Sequence, residues 1–301
     1  MGVFIIFFLI VGCSVDYLYL DSFTPAGLPL PIATLLALGL ATATTLTAYY
    51  GGSGLILGSL GAQKLDIQSA EQRELRNIVT EMALASGATM PQVYVMNDPA
   101  PNALATGTNE KNAAICVTTG LLALLDREET QGVVAHEMAH IRNEDTLLMT
   151  LVSVLVAGIA LLADWGQRGA YRPRGNRREG EKNPALFIPL LILVAVSPLL
   201  AQLLAMAVSR QREYLADASA AEYTRNPRGL ARALEKIRDA AGPVNKATRG
   251  TAPLFFADPL RRRLDDSESR LANLLTTHPP IGRRIELLYQ MAGMAGTSRR
   301  E

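Results

Sequence analysis

The chain has little cysteine and almost no net charge. Its 301 residues include 2 cysteines, and 29 basic residues nearly balance 28 acidic ones, which leaves a net charge of +1. Cys13 and Cys116 lie far apart, so they predict neither a disulfide framework nor a CxxC metal site. A nucleic-acid-binding protein needs a basic face, which this charge balance does not indicate. We therefore expect no nucleic-acid partner.

Four long stretches also lack charged residues, and all of them are apolar: 3–15, 22–63, 146–163 and 183–209. About 20 consecutive apolar residues suffice to cross a bilayer. We therefore expect a membrane protein with about four transmembrane or membrane-dipping helices, arranged as two hairpins. The first stretch has the length of a signal sequence, but no basic segment precedes it and a second uncharged stretch follows at once.

These stretches divide the chain into four predicted regions. They are an N-terminal membrane hairpin at 1–63, a polar region at 64–145, a second membrane hairpin at 146–209 with a basic loop at 164–183, and a polar region at 210–301. The first hairpin loop holds Asp16 and Asp21 without Lys or Arg, which favours a multi-pass protein of the cell membrane whose polar regions face the cytoplasm. The basic second loop opposes this orientation, and we give more weight to the first hairpin because it is inserted first.

The polar regions predict a mainly α fold with a small β-sheet. In the first of them, apolar residues recur at helical or strand spacing between turn signals. The predicted elements are a helix at 68–86, strands at 92–96 and 113–118 with a turn-rich connection that holds one short strand, a helix at 121–125, and a longer helix through 133–140. We expect the last helix to continue without a break into the apolar stretch that follows it.

This longer helix contains the sequence His136-Glu137-Met138-Ala139-His140. Side chains four positions apart share one face of a helix, so both imidazoles can bind the same ion. Glu137 stands beside them, where a carboxylate can take a proton from a zinc-activated water as that water attacks a peptide carbonyl. The motif predicts a metalloprotease that binds Zn²⁺ and acts on polypeptides.

The motif needs a third ligand, and Glu213 is the candidate. Glu213 and Asp217 lie four positions apart on a predicted helix that starts after the last apolar stretch. Glu213 would complete a set of two histidines and a carboxylate, and Asp217 suits a hydrogen bond to the outer ring nitrogen of a ligand histidine, with Asp145 in reserve. The alternative is a solvated face on which these carboxylates pair with Arg210 and Arg212, which the HExxH motif makes the weaker interpretation.

The third histidine of the chain, His278, precedes Pro279 and Pro280. The prolines hold it in a rigid turn before a helix that contains Arg284. It is either a donor to the oxyanion of the tetrahedral intermediate, with Arg284 as a helper or a substrate anchor, or an ordinary surface residue. The spacing does not decide between these roles.

Together these residues resemble the HtpX-type membrane zinc metalloproteases, relatives of the CaaX prenyl proteases. The segments that carry the resemblance are 101–107, 117–122, 136–145, 213–217, 226–237 and 278–284. The resemblance implies a gluzincin fold with Glu213 as third zinc ligand and a cytoplasmic catalytic region. The implied substrates are membrane proteins or misfolded proteins, as in membrane protein quality control. It also favours a catalytic role for His278.

The same resemblance implies where a substrate binds. Asn102, Ala103 and the strand at 113–118 would line the cleft and receive the substrate backbone as an added strand, a mode that suits broad specificity. The alternative for Asn102 is an ordinary turn residue.

Three other functions compete with the zinc endopeptidase. A protein that binds clients without cutting them would close a structural zinc site with a fourth protein ligand, whereas Glu137 stands beside an open position. A transporter with HExxH by chance would place ionisable residues inside its spans, and the four stretches lack charged residues. A prenyl-protein peptidase would need more spans than four.

Overall fold

The computed structural model describes residues 31–67, 69–154, 210–240, 242–248, 250–259 and 279–293, with a few isolated positions before residue 31. His278, the basic loop and the apolar stretch at 183–209 lie outside the described residues, as do most of the stretch at 3–15 and half of the stretch at 146–163. The chain divides into two compact units, one of residues 1–51 with 158–199 and one of residues 52–157 with 200–301. The candidate site belongs to the second unit.

Helix α1, Ile32–Leu60, is uncharged along its whole length. Its apolar side chains Leu35, Leu36 and Tyr50 are exposed. In the described part of the chain, however, none of the helices combines the length and the apolar character needed to cross a membrane. The number of membrane helices therefore stays a prediction.

A four-stranded sheet lies in the second unit, in the order β1-β2-β4-β3. Its strands are β1 Gln63–Lys64, β2 Gln92–Met96, β3 Ala103–Thr106 and β4 Ala114–Thr118. β2 and β4 are parallel, and the other two pairs are antiparallel. Successive side chains of buried β4 join two hydrophobic clusters in turn, as the alternation of a strand requires. The predicted strands are confirmed.

The position of β4 corrects one prediction about the substrate. β4 lies between β2 and β3, so both of its edges already pair within the sheet. An added strand needs an edge strand. The strand predicted at 113–118 therefore does not receive a substrate backbone, and β3 is the strand at this end of the sheet.

Helices surround the sheet, and the helix with the HExxH motif is central among them. The helices after α1 are α2 Ala70–Ser86, α3 Thr119–Leu124, α4 Arg127–Arg142, α5 at 145–154, α6 Arg210–Thr224, α7 Pro227–Asp239 and α8 Ile281–Met291. α4 packs against α2, α6, α7 and β3. A capping box between Asp126 and Glu129 closes its first turn, and Lys236 of α7 donates to Glu129 at 2.7 Å. At Gly132 a Cβ atom would stand 2.9 Å from the Leu230 backbone, so only glycine lets α7 come this close.

α4 ends at Arg142, earlier than predicted. Asn143 forms its C-cap, and Glu144 adopts the left-handed region with a φ of 59°. This dihedral interrupts the helix, because residues within a right-handed helix have negative φ. The expectation of one continuous helix from the motif into the apolar stretch is wrong. The turn instead starts α5 at Asp145 and brings the Asp145 carboxylate to His140.

Candidate metal centre

His136 and His140 project from α4 towards Glu213 of α6. Their Nε2 atoms are 3.1 Å apart. The Glu213 carboxylate lies 3.7 Å from His136 Nε2 and 3.5 Å from His140 Nε2. These ligand atoms lie within 4.8 Å of one another and can hold a metal ion. The fold thus brings together the three residues for which the sequence predicts metal binding.

Two carboxylates bind the other nitrogen of each histidine ring. Asp217 lies 2.9 Å from His136 Nδ1, and Asp145 lies 3.1 Å from His140 Nδ1. An ionised carboxylate can only accept, so each Nδ1 carries the proton and each Nε2 presents a lone pair. Two lone pairs that face each other at 3.1 Å repel unless positive charge lies between them. The orientation of the rings therefore suits a bound cation.

The distances between the donor atoms also suit zinc. Tetrahedral zinc with ligands at about 2.0–2.2 Å separates neighbouring ligand atoms by roughly 3.3–3.6 Å. The two Nε2 atoms are 3.1 Å apart, and each lies 3.5 or 3.7 Å from a different oxygen of the Glu213 carboxylate. Two imidazoles and one carboxylate are a known set of ligands for catalytic zinc, with one position left for water or substrate. The residues present fit the ion.

Negative charge is concentrated around this group. Four carboxylates that are at most 6% exposed converge there, those of Glu137, Asp145, Glu213 and Asp217. Two guanidinium groups of described residues lie among them: that of Arg284, which is 2% exposed, and that of Arg212, which is 24% exposed and lies 3.4 Å from Asp145. Buried charges are costly without compensation, so this excess of carboxylates favours a divalent cation.

The pKa values of the buried groups reflect both their burial and the charges next to them. Burial raises the pKa of Glu137 to about 8 and lowers that of His136 to about 4. Burial also opposes the charged form of His140, but the hydrogen bond to Asp145 and the charge of Glu213 outweigh it and raise the pKa to about 9. The surroundings of His140 thus stabilise positive charge.

Arg284, on α8, lies behind His136. Its Nε and Nη2 atoms donate to Asp217 at 2.8 and 2.7 Å, and Nη1 donates to the Phe256 carbonyl at 3.3 Å. Burial disfavours both charges, but the pairing keeps the pKa of Asp217 below its usual value and that of Arg284 above it. Through these hydrogen bonds the guanidinium of Arg284 fixes the carboxylate of Asp217, which in turn fixes the ring of His136. These contacts indicate a positioning role, and contact of Arg284 with a substrate stays a prediction.

Asn102 and Ala103, at the start of β3, form hydrogen bonds with Phe256 and Ala257 of the same chain. The Asn102 side chain donates to the Ala257 carbonyl at 2.9 Å and accepts from the Ala257 N–H at 3.2 Å. The Ala103 carbonyl accepts from the Phe256 N–H at 2.8 Å. The Phe256 ring stands edge-on to His136, with centroids 4.9 Å apart. Sequence reasoning missed Phe256 and Ala257, because no periodicity marks them as partners of a strand so far upstream.

Comparison with known proteins identifies the family. The model of peptidase family M48 matches residues 69–292, a range that contains the whole metal group. The chain belongs to peptidase family M48. The resemblance noted in the sequence is confirmed, and this M48 peptidase is a metalloprotease that hydrolyses peptide bonds. A client-binding protein without catalysis is not favoured.

Several relatives of this M48 peptidase carry the name "Protease HtpX homolog". One from Caldanaerobacter subterraneus subsp. tengcongensis is 45% identical over 248 residues, which cover 81% of this chain and 80% of the relative. One from Dictyoglomus turgidum is 41% identical over 289 residues, which cover 96% and 90%. The crystal structure of S. mikatae Ste24p is similar in fold, with a TM-score of 0.50 at 18% identity over 95% of this chain and 62% of that one.

Proposed function

We propose that this M48 peptidase is an integral-membrane zinc endopeptidase that cuts membrane proteins or misfolded proteins. The observation that carries the proposal is the convergence of His136 Nε2, His140 Nε2 and the Glu213 carboxylate, with each Nδ1 held by a carboxylate. Three protein ligands leave a position for water or substrate, as catalytic zinc sites do.

Glu137 is the proposed general base. When bound, zinc polarises the peptide carbonyl and lowers the pKa of the attacking water. Glu137 follows His136 directly on α4, and the backbone of Ala105 in β3 lies near its carboxylate and favours the ionised form. It takes the proton of the attacking water and later gives it to the leaving amine, which completes cleavage of the C–N bond.

The remaining carboxylates and Arg284 hold the histidines. Asp217 and Asp145 fix the tautomer and the orientation of His136 and His140. Arg284 in turn fixes Asp217 through two hydrogen bonds. We propose that this chain of contacts keeps both Nε2 atoms aimed at the metal.

The membrane location is proposed from the sequence. Four uncharged stretches and an acidic first hairpin loop support a multi-pass protein whose catalytic region faces the cytoplasm. This location gives the site access to membrane-protein substrates.

Cleavage of an unfolded protein tests the proposal. The full chain, recovered from alkali-washed membranes, is expected to cut casein at internal bonds, because an open zinc site with a general base hydrolyses extended backbone. A chelator should stop the cleavage and added zinc should restore it, with the products identified by mass spectrometry. Trimming from the chain ends alone, or cleavage that a chelator leaves unchanged, would count against the proposal.

A further inference from the structure

Residues 255–257, named here the strap, lie along the outer edge of β3. Phe255 forms an antiparallel bridge with Leu104, and the Phe256 N–H donates to the Ala103 carbonyl at 2.8 Å. The Asn102 side chain binds both the N–H and the carbonyl of Ala257. The strap thus occupies the edge as an extended peptide would.

The strap is anchored on both faces of the sheet. Phe255 and Phe256 are each 1% exposed, and they belong to different hydrophobic clusters. Arg284 also donates to the Phe256 carbonyl. A peptide that displaced the strap would expose both rings to water, which opposes displacement. The strap is therefore a fixed part of the site.

The other end of β3 is also engaged. The Gly107 N–H donates to the Thr150 hydroxyl at 3.0 Å, and that hydroxyl also contacts the Gly107 carbonyl. Between the two ends, the Ala105 N–H faces Glu137. Ala103 is two residues from Ala105, or about 7 Å along a strand. An extended substrate that reacts beside Glu137 therefore meets the strap after about two residues.

We propose that the strap ends the peptide-binding edge on one side of the reacting bond and so limits how far a substrate can extend there. Asn102 is then a positioning residue that clamps the strap, instead of a contact for the substrate backbone. This inference rests on the proposed function, since it takes Glu137 as the place of reaction.

Peptide binding to the full-length Glu137→Gln variant tests the limit that the strap sets on substrate length, because this variant is expected not to cleave the peptide. Fluorescent peptides of one core sequence are lengthened residue by residue at either end, and binding is followed by anisotropy. Affinity is expected to stop rising after about two residues at the end that meets the strap. Adding Asn102→Ala should release the Ala257 end of the strap while both phenylalanine rings stay buried. The limit should then move outwards, and the longest peptide should bind about tenfold more tightly, the effect of one or two new backbone hydrogen bonds. Asn109→Ala, at an exposed asparagine that caps the turn after β3, is the matched control and should leave the limit in place.

Hydrogen exchange gives a second readout that needs neither substrate nor activity. The buried Phe256 amide should exchange slowly in the wild type and at least about tenfold faster in Asn102→Ala, because the clamp is lost. Asn102→Ser removes the amide without burying a charge, and it is the second variant if the alanine variant folds poorly. Affinity that keeps rising at both peptide ends in the wild-type sequence, or a loss of affinity in Asn102→Ala that is the same for every length, would overturn the inference. Failure of the proposed function would appear separately, as wild-type protein that binds these peptides without cutting them.

Discussion

Glu137→Gln is expected to lower kcat/KM for peptide cleavage by about a hundredfold to ten-thousandfold. Glutamine keeps the shape of the side chain, but it cannot take a proton from water. Glu137 is 1% exposed and lies beside the histidines. Among the described residues, no other carboxylate occupies its position. The rate is measured on a quenched fluorescent peptide at saturating zinc.

The variant should keep its fold and its metal, because Glu137 is not one of the three grouped ligands. Glu222→Gln, at an exposed position of α6, makes the same chemical change away from the site and should cleave at the wild-type rate. Full proteolysis by Glu137→Gln would remove Glu137 from the mechanism. Loss of zinc together with activity would mean that Glu137 acts on the ion itself.

Arg284→Met is expected to lower the free energy of unfolding by about 3–5 kcal/mol. Methionine can occupy the buried space, but it leaves the Asp217 carboxylate, 3% exposed, without the guanidinium that binds it at 2.7 and 2.8 Å. Removing one member of a buried ion pair costs more than the pair contributes, because the remaining charge is uncompensated. Urea unfolding of the detergent-solubilised chain, followed by circular dichroism, measures the loss.

Two comparisons separate this effect from a general effect of the substitution. Arg283→Met, whose arginine side chain is 52% exposed, should change stability by less than about 0.5 kcal/mol. Adding Asp217→Asn to Arg284→Met should recover part of the loss, since no charge then remains unpaired there. Zinc affinity should also fall by about tenfold to a hundredfold in Arg284→Met, because Asp217 no longer orients His136. A stability equal to that of Arg283→Met would contradict the positioning role.

The sequence predicts those parts of the site that depend on local spacing or on known ligand chemistry. His136 and His140 lie one helical turn apart, so a helix alone brings them to one face. Glu213 comes from a helix that is distant in the sequence. It is predictable because a catalytic zinc usually has three protein ligands, and the motif supplies two histidines. Asp217 follows from its spacing to Glu213 on the same helix.

Other parts depend on tertiary contacts that carry no local signal. Asp145 is predicted only in reserve, because it reaches His140 through the left-handed turn at Glu144, a conformation that the residue type does not predict. The strap pairs with β3 from 155 residues away, between Asn102 and Ala257. No periodicity in a short segment with two phenylalanines identifies its partner. Arg284 is likewise predicted near a substrate, whereas its buried bonds to Asp217 are set by how α8 packs.

Zinc bound per chain in the Glu213→Ala variant tests the central claim most directly, because Glu213 is the ligand that the fold has to bring from another helix. After removal of excess metal, the wild type is expected to retain about one zinc per chain, and Glu213→Ala close to none. Glu222→Ala, on the same helix but exposed, should retain as much as the wild type. Wild-type zinc content in Glu213→Ala would contradict a centre formed by His136, His140 and Glu213.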